Sequence, residues 1–182
     1  MKNILITPLR YPNRSNKTEH VFVKRTAESL ANAGHNVSVI YPIERTIKHK
    51  YKIDAYCIEK TRNKNVVRVY TYKISFLANL IAMIFKGLYV KILYKKANRV
   101  VKRKKIVFDT VYGHFVFPSG MIASMFAEKY RAKAFMIYGE STNWSIKKLN
   151  RNYLKKRLYY ISNIISVSTA NRNRLLSMQL YD

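Results

Sequence analysis

Along most of this chain, short apolar runs alternate with longer stretches whose apolar residues recur every three or four positions. Asn3–Thr7 is a run of the first kind, ended by Pro8, and predicts a buried strand. A polar loop follows from Arg10 to Lys17. Val23, Ala27, Leu30 and Ala31 then fall at i, i+4, i+7 and i+8, one face of a helix. Gly34 stands at the C′ position of that helix, where glycine takes the left-handed conformation without a Cβ clash. Asn36–Tyr41 predicts a β-branched strand that Pro42 should stop. Strand, helix and strand in this order form a βαβ unit with a parallel pair.

Residues 43–65 read as a charged loop and Val66–Tyr70 as a third strand. From Ser75 to about Arg99 the pattern predicts one long helix, apolar at Leu77, Leu80, Ile81, Ile84 and Leu88. Phe76, Met83 and Val90 make its first half apolar nearly all round. Asp109–His114 predicts a fourth strand, and Pro118-Ser119-Gly120 the start of a helix to about Tyr130. Ala134–Tyr138 is a fifth strand, with a loop through Trp144 after it. A basic helix over roughly Ile146–Tyr160, a sixth strand at Asn163–Val167 and a short helix from near Ser168 complete the pattern. This rhythm predicts an α/β domain over residues 1–182, a single Rossmann-like, doubly wound parallel sheet. Ligands of such sheets bind in the crevice at the C-terminal ends of the strands.

The length fits one domain, and 48% hydrophobic residues supply a core. Charge changes the picture more: 35 Lys and Arg against 9 Asp and Glu give a formal charge of +26, a field that attracts nucleic acid, anionic lipid headgroups or phosphate-bearing substrates. AT-rich coding sequence would also enrich Lys, Asn, Ile and Tyr, but it does not explain why the charge clusters. Lys86, Lys91, Lys95, Lys96, Arg99, Lys102, Arg103, Lys104 and Lys105 follow one another without an intervening acid. Together with the apolar residues before them they make a basic amphipathic segment at about 75–105, expected to bind an anionic membrane surface. Nucleic acid is the less favoured partner. The 15 tyrosines suit it, but the basic residues lie on helices among apolar ones and no binding motif is present. Ile74–Phe85, the longest apolar-rich stretch, is too short to span a bilayer, and the apolar run at the N-terminus is too short for a signal peptide. The expected location is cytoplasmic, peripheral on the inner face of the membrane. Cys57, the single cysteine, excludes an internal disulfide and a thiolate metal cluster.

The loops that leave the strand ends are where chemistry could sit. Arg10–Lys17 precedes a helix N-terminus, which favours anions, yet it carries no glycine to let a phosphate approach the backbone. Glu19 and His20 stand at the helix start, as a solvated cap or as part of a site. His114, flanked by Gly113 and Gly120, ends the fourth strand; it faces the crevice or is a core histidine bonded to backbone. Tyr138-Gly139-Glu140-Ser141 ends the fifth, where a carboxylate could bond a sugar hydroxyl, act in acid–base work or cap the next helix. His20, His35, His49 and His114 lie far apart without helical i, i+4 pairing, and neither a G-x-S-x-G elbow nor a Walker loop occurs. No metal site is expected, nor a self-contained hydrolase or NTPase.

Four segments resemble the family-four retaining glycosyltransferases of the GT-B fold. His20-Val21-Phe22-Val23, leading through Ala33-Gly34-His35-Asn36-Val37 into Tyr41-Pro42, is similar to their Gly-x-Phe-Val turn and Gly-His-x-Val junction. Asp109 through Gly120 is similar to Asp-x-x-His-x-His followed by Phe-Pro-Ser-Gly. Tyr138-Gly139-Glu140-Ser141 takes the place of His-Gly-Ser-Asp, and Asn163-Ile164-Ile165-Ser166-Val167-Ser168 that of Asp-x-Ile-Ile-x-Val-Ser. Among the departures from the pattern, His20 stands for the loop glycine, Tyr112 for the first histidine of the second segment, and Tyr138 for a histidine that contacts the reacting sugar in the family. The resemblance implies the N-terminal, acceptor-side half of a sugar transferase acting on a polysaccharide or lipid-linked acceptor. It implies catalytic candidates His114, Glu140 and Tyr138, and acceptor contacts from Arg10, Asn13, His20, His114, Ser119 and Glu140. The Glu-x7-Glu stretch that binds the donor in the family is not among these 182 residues. The expectation is therefore a truncated or split enzyme, inactive alone, that meets a nucleotide-sugar donor only with a separate C-terminal donor-binding domain or subunit. A non-catalytic peripheral membrane protein is the alternative.

Overall fold

A computed structural model describes residues 1–13, 16–44, 55–140 and 149–179, without the side chains of Glu44, Asn79, Ala82 and Met83. Arg14, Ser15, His49, Ser141, Trp144 and the helix start expected at Ile146 lie outside the described residues. In chain order the elements are β1 (Asn3–Ile6), α1 (Val21–Asn32), β2 (Asn36–Glu44), β3 (Tyr56–Lys60), β4 (Val66–Ile74), α2 (Phe76–Ile84) and α3 (Lys86–Arg103). Then come β5 (Thr110–His114), α4 (Met121–Tyr130), β6 (Lys133–Tyr138), α5 (Arg151–Leu158), β7 (Asn163–Ser166) and α6 (Thr169–Ser177).

The seven strands form one sheet in the order β3-β4-β2-β1-β5-β6-β7, parallel throughout except for β3. Numbered among themselves, the six parallel strands lie 3-2-1-4-5-6, the order of a Rossmann-like sheet. The strand order reverses between β1 and β5, which makes the C-terminal ends of these two strands the place where a crevice opens. α1 covers one face through Val23, Ala27 and Ala31, against Ile4, Ile6, Val37, Val39 and Val67. On the other face Leu93, Val101, Met121, Phe126 and Leu158, from α3, α4 and α5, pack on Leu5, Ile40, Val111 and Met136. Alternate residues of each strand thus serve opposite cores, as the pleat requires.

Three local expectations give way to tertiary context. β2 runs through Pro42 to Glu44. β1 pairs with β2 only as far as Val39, so Pro42 has β4 on one side and no ladder on the other, where its missing N–H is tolerated. β3 lies inside the segment read as a loop: an antiparallel edge strand with alternating exposure, Tyr56, Ile58 and Lys60 outward and Cys57 and Glu59 half-buried. The single long helix is two, because Phe85 leaves helical geometry (φ −120, ψ 70). α3 buries Tyr89, Val90, Leu93, Ala97 and Val101. Of the predicted stripe, Leu77, Leu80, Ile84 and Leu88 project outward, and only Ile81 is half-buried.

Gly34 ends α1 as expected, with φ 84. A Cβ there would meet nothing within 4 Å, so Gly34→Ala is expected to cost only the left-handed strain, about 1 kcal/mol. Gly113 is the contrast. A Cβ there would lie 2.7 Å from the Cα of Gly120 and 2.8 Å from the carbonyl oxygen of Ser119, both main-chain atoms that cannot rotate away. Gly113→Ala is expected to destabilise by about 2 kcal/mol through overpacking. Urea midpoints for the two variants check this, and equal losses would show that the Gly113–Gly120 contact is not a constraint.

Candidate functional site

The loop after β1 is held by Tyr11, which is fully buried beside Tyr41 at 5.6 Å between ring centroids. Burial, reinforced by the Glu59 carboxylate, pushes the Tyr11 phenol well above its ordinary pKa, so it stays protonated and donates to Glu59 Oε2 at 2.9 Å. Lys24 Nζ reaches the same carboxylate at 3.2 Å. The loop then brings Arg10 to Glu19 at 2.5 Å, and Asn13 turns back on itself, accepting from the Asn16 N–H at 3.1 Å. His20 precedes α1 in the left-handed conformation (φ 49, ψ 40) and makes no side-chain cap. Burial lowers the pKa of its imidazole, with Glu19 and Arg10 pulling in opposite directions.

β5 delivers Tyr112 and His114 to the α1 face of the sheet, two residues apart and so on the same side of the pleat. The Tyr112 phenol lies 2.5 Å from His114 Nδ1. Burial raises the phenol's pKa, so Tyr112 keeps its proton; the tautomer in which it donates to Nδ1 carries the ring N–H of His114 on Nε2. The His114 ring is stacked on Phe22 of α1 at 4.6 Å and meets Phe115 edge-on at 4.5 Å. Phe22 in turn lies 5.1 Å from His20, and His20 is edge-on to Phe115 at 6.0 Å. Only 8% of His114 is exposed, and burial lowers its pKa to about 4, so near neutral pH it is an uncharged donor and acceptor. Phe115 holds φ 71, a conformation strained for a side chain of this size and one that clusters at functional sites.

Glu140 sits two residues past β6. Its Oε1 accepts from the Val116 N–H at 3.1 Å, and its carbonyl accepts from Arg174 Nη1 at 2.7 Å. His114 and Glu140 therefore stand at the same edge of the sheet, one at the end of β5 and the other just beyond β6, joined by the turn Val116–Gly120. Ser119 is buried in that segment, where Phe117 is the only residue outside helical geometry, so the backbone turns helical at Pro118, as expected, and runs on into α4. Tyr138 is completely buried in the core of the opposite face from His114, with Leu5 and Met136, and its phenol is hydrogen-bonded to Arg174, which also donates to the Glu140 carbonyl. Arg10, Asn13 and His20 line the β1 side of the same edge.

No family model and no curated protein matches the chain. This edge of the sheet offers a neutral imidazole, a carboxylate and several aromatic faces, groups suited to bonding hydroxyls and stacking on a ring. Among the described residues, no group of three or more His, Cys, Asp or Glu side chains is placed to hold a metal ion.

Phe22, Phe115 and Arg174 belong to this constellation although the sequence pattern did not single them out as site residues. The i, i+2 spacing of Tyr112 and His114 was a usable signal for their pairing. Nothing local connects Arg174, 34 residues away, to Glu140.

Proposed function

We propose that this chain is the acceptor-side domain of a retaining sugar transferase of the GT-B type. The supporting observation is that the four segments carrying the resemblance touch one another in series. Phe22 of the first stacks on His114 of the second, Val116 of the second donates to Glu140 of the third, and the Val167 N–H of the fourth donates to the Tyr138 carbonyl at 3.1 Å. His20 adds to this reading: where the family has a glycine, this chain has a left-handed residue. In this role Glu140 and His114 bond acceptor hydroxyls, His20, Phe22 and Phe115 stack on the sugar, and Arg10 and Asn13 border it. The acceptor is a polysaccharide or lipid-linked glycan at the cytoplasmic face of a membrane. A nucleotide-sugar donor is held by a separate donor-binding domain.

Two measurements test the reading. The 182-residue chain alone is expected to transfer no sugar from any nucleotide donor, because transfer needs donor and acceptor fixed in one cleft. Turnover by the purified chain, with a contaminant control, contradicts that. On an array of glycans and lipid-linked saccharides the chain is expected to retain at least one acceptor, with about tenfold weaker retention for Glu140→Gln, the loss of one charge-assisted hydrogen bond. Unchanged retention by that variant removes Glu140 from the site.

A further inference from the structure

α2 carries its apolar residues on the outside. Phe76, Leu77, Leu80 and Ile84 fall within one arc of about 100° at 3.6 residues per turn. They are continued by Phe85 and Leu88, and the six are between 42% and 74% exposed. Among the described side chains of α2, only Ala78 belongs to the core. An apolar surface of this extent, on one contiguous stretch of chain, marks an interaction site.

What it meets is indicated by the residues that follow. Leu88, Lys91, Lys95, Arg99 and Lys102 are spaced three or four apart and form one exposed row along α3, opposite the buried Val90, Leu93, Ala97 and Val101. None of the four cations has an ion-pair partner among the described residues. Lys86 and Lys96 are engaged otherwise, the first over the Phe117 ring and the second donating to the Lys73 carbonyl at 2.8 Å. An apolar wedge continued by a cationic row matches the layering of an anionic leaflet, acyl chains beneath negative headgroups. A protein partner for the apolar face alone would not require that row.

We propose that α2 and the start of α3 form the membrane-docking element, with Phe76, Leu77, Leu80, Ile84, Phe85 and Leu88 entering the acyl boundary and Lys91, Lys95, Arg99 and Lys102 resting on anionic headgroups. No helix among the described residues is long and apolar enough to cross a membrane, so the docking is peripheral. α2 directly follows the C-terminal end of β4, the edge of the sheet at which β1 and β5 also end. α2 and the His114–Glu140 pair therefore lie at the same edge of the sheet. The inference rests on the membrane placement of the proposed function but not on sugar transfer, and the vesicle assay below reads neither acceptor nor donor.

Co-sedimentation of the full chain with phosphatidylglycerol vesicles, and with phosphatidylcholine vesicles of equal size, tests it. Binding is expected to the anionic vesicles, at least tenfold weaker to the neutral ones, and to fall as salt rises. Leu80→Ser with Ile84→Ser should reduce anionic binding at least tenfold, as should Lys91→Gln with Lys95→Gln and Arg99→Gln. All five positions are solvent-facing, so circular dichroism should be unchanged. Should the double variant unfold, Phe85→Ser alone carries the same prediction. Wild-type binding by the folded apolar variant would reduce the interaction to bulk charge and overturn the proposal. So would a salt-insensitive dimer, dispersed by Ile84→Ser, that ignores both vesicles; a second copy would then own the patch.

Discussion

Acidification from neutral pH to about 4 is expected to remove on the order of 3 kcal/mol of stability through one side chain, His114. Its imidazole is almost enclosed by Phe22, Phe115 and Tyr112, and burial, with a smaller contribution from His20, holds its pKa at about 4 against 6.5 in the unfolded chain. Above pH 6.5 both states are neutral and the group has no effect on stability. Between 6.5 and about 4 the unfolded chain binds a proton that the folded site refuses, so stability falls as pH falls. Below that range both states are protonated and the loss levels off. A difference of about 2.5 pKa units at 1.36 kcal/mol each sets the magnitude. Urea unfolding at several pH values should show this loss in the wild type and lack it in His114→Gln. The comparison within each protein cancels the cost of the substitution itself. His20 titrates in the same direction and remains in both proteins. An NMR titration placing His114 near 6.5 in the folded protein would falsify the account. It would also mean that the aromatic cover over the ring opens in solution.

Phe126→Ala is expected to be the most damaging single truncation in this part of the core, about 4 kcal/mol. Phe126 is fully buried, edge-on to Tyr94 of α3 at 5.0 Å and to Phe108 at 5.8 Å, with Tyr130 at 5.9 Å. It joins α3, the segment leading into β5 and α4 itself. α4 begins directly after Gly120, whose backbone is packed on Gly113, so loosening this helix also loosens the turn that carries Val116 and holds Glu140. Two effects should appear together: a lower urea midpoint and a lower pH-linked loss at His114 as its enclosure relaxes. A loss below about 1 kcal/mol would show that the surrounding rings collapse into the space, and would remove Phe126 as the link between α4 and the site.

Much of the architecture was already legible in the chain, because its signals are local. Apolar runs such as Asn3–Ile6 and Thr110–His114 bury both faces of a strand, the 3–4 spacing of Val23, Ala27 and Ala31 sets one helix face, and Gly34 meets a conformational demand of its own backbone. These choices, with the βαβ rhythm, determined an α/β chain with a mostly parallel sheet, and placed His114 and Glu140 at its C-terminal edge. Tertiary structure decided whatever depends on a distant neighbour. Pro42 could remain in a strand only because β1 ends beside Val39 and leaves that side without a ladder. β3 was hidden because an edge strand with one partner and an exposed side needs no continuous apolar run. Periodicity could identify an apolar stripe on α2 but not its direction, since a stripe packs inward or outward according to what the sheet offers it, and here α3 occupies the sheet instead. The site divides in the same way. Tyr112 and His114 share a face by strand parity alone, whereas the Phe22 ring over His114, the Arg174 contact with Glu140 and the burial of Tyr138 on the opposite face come from residues brought together across the sheet.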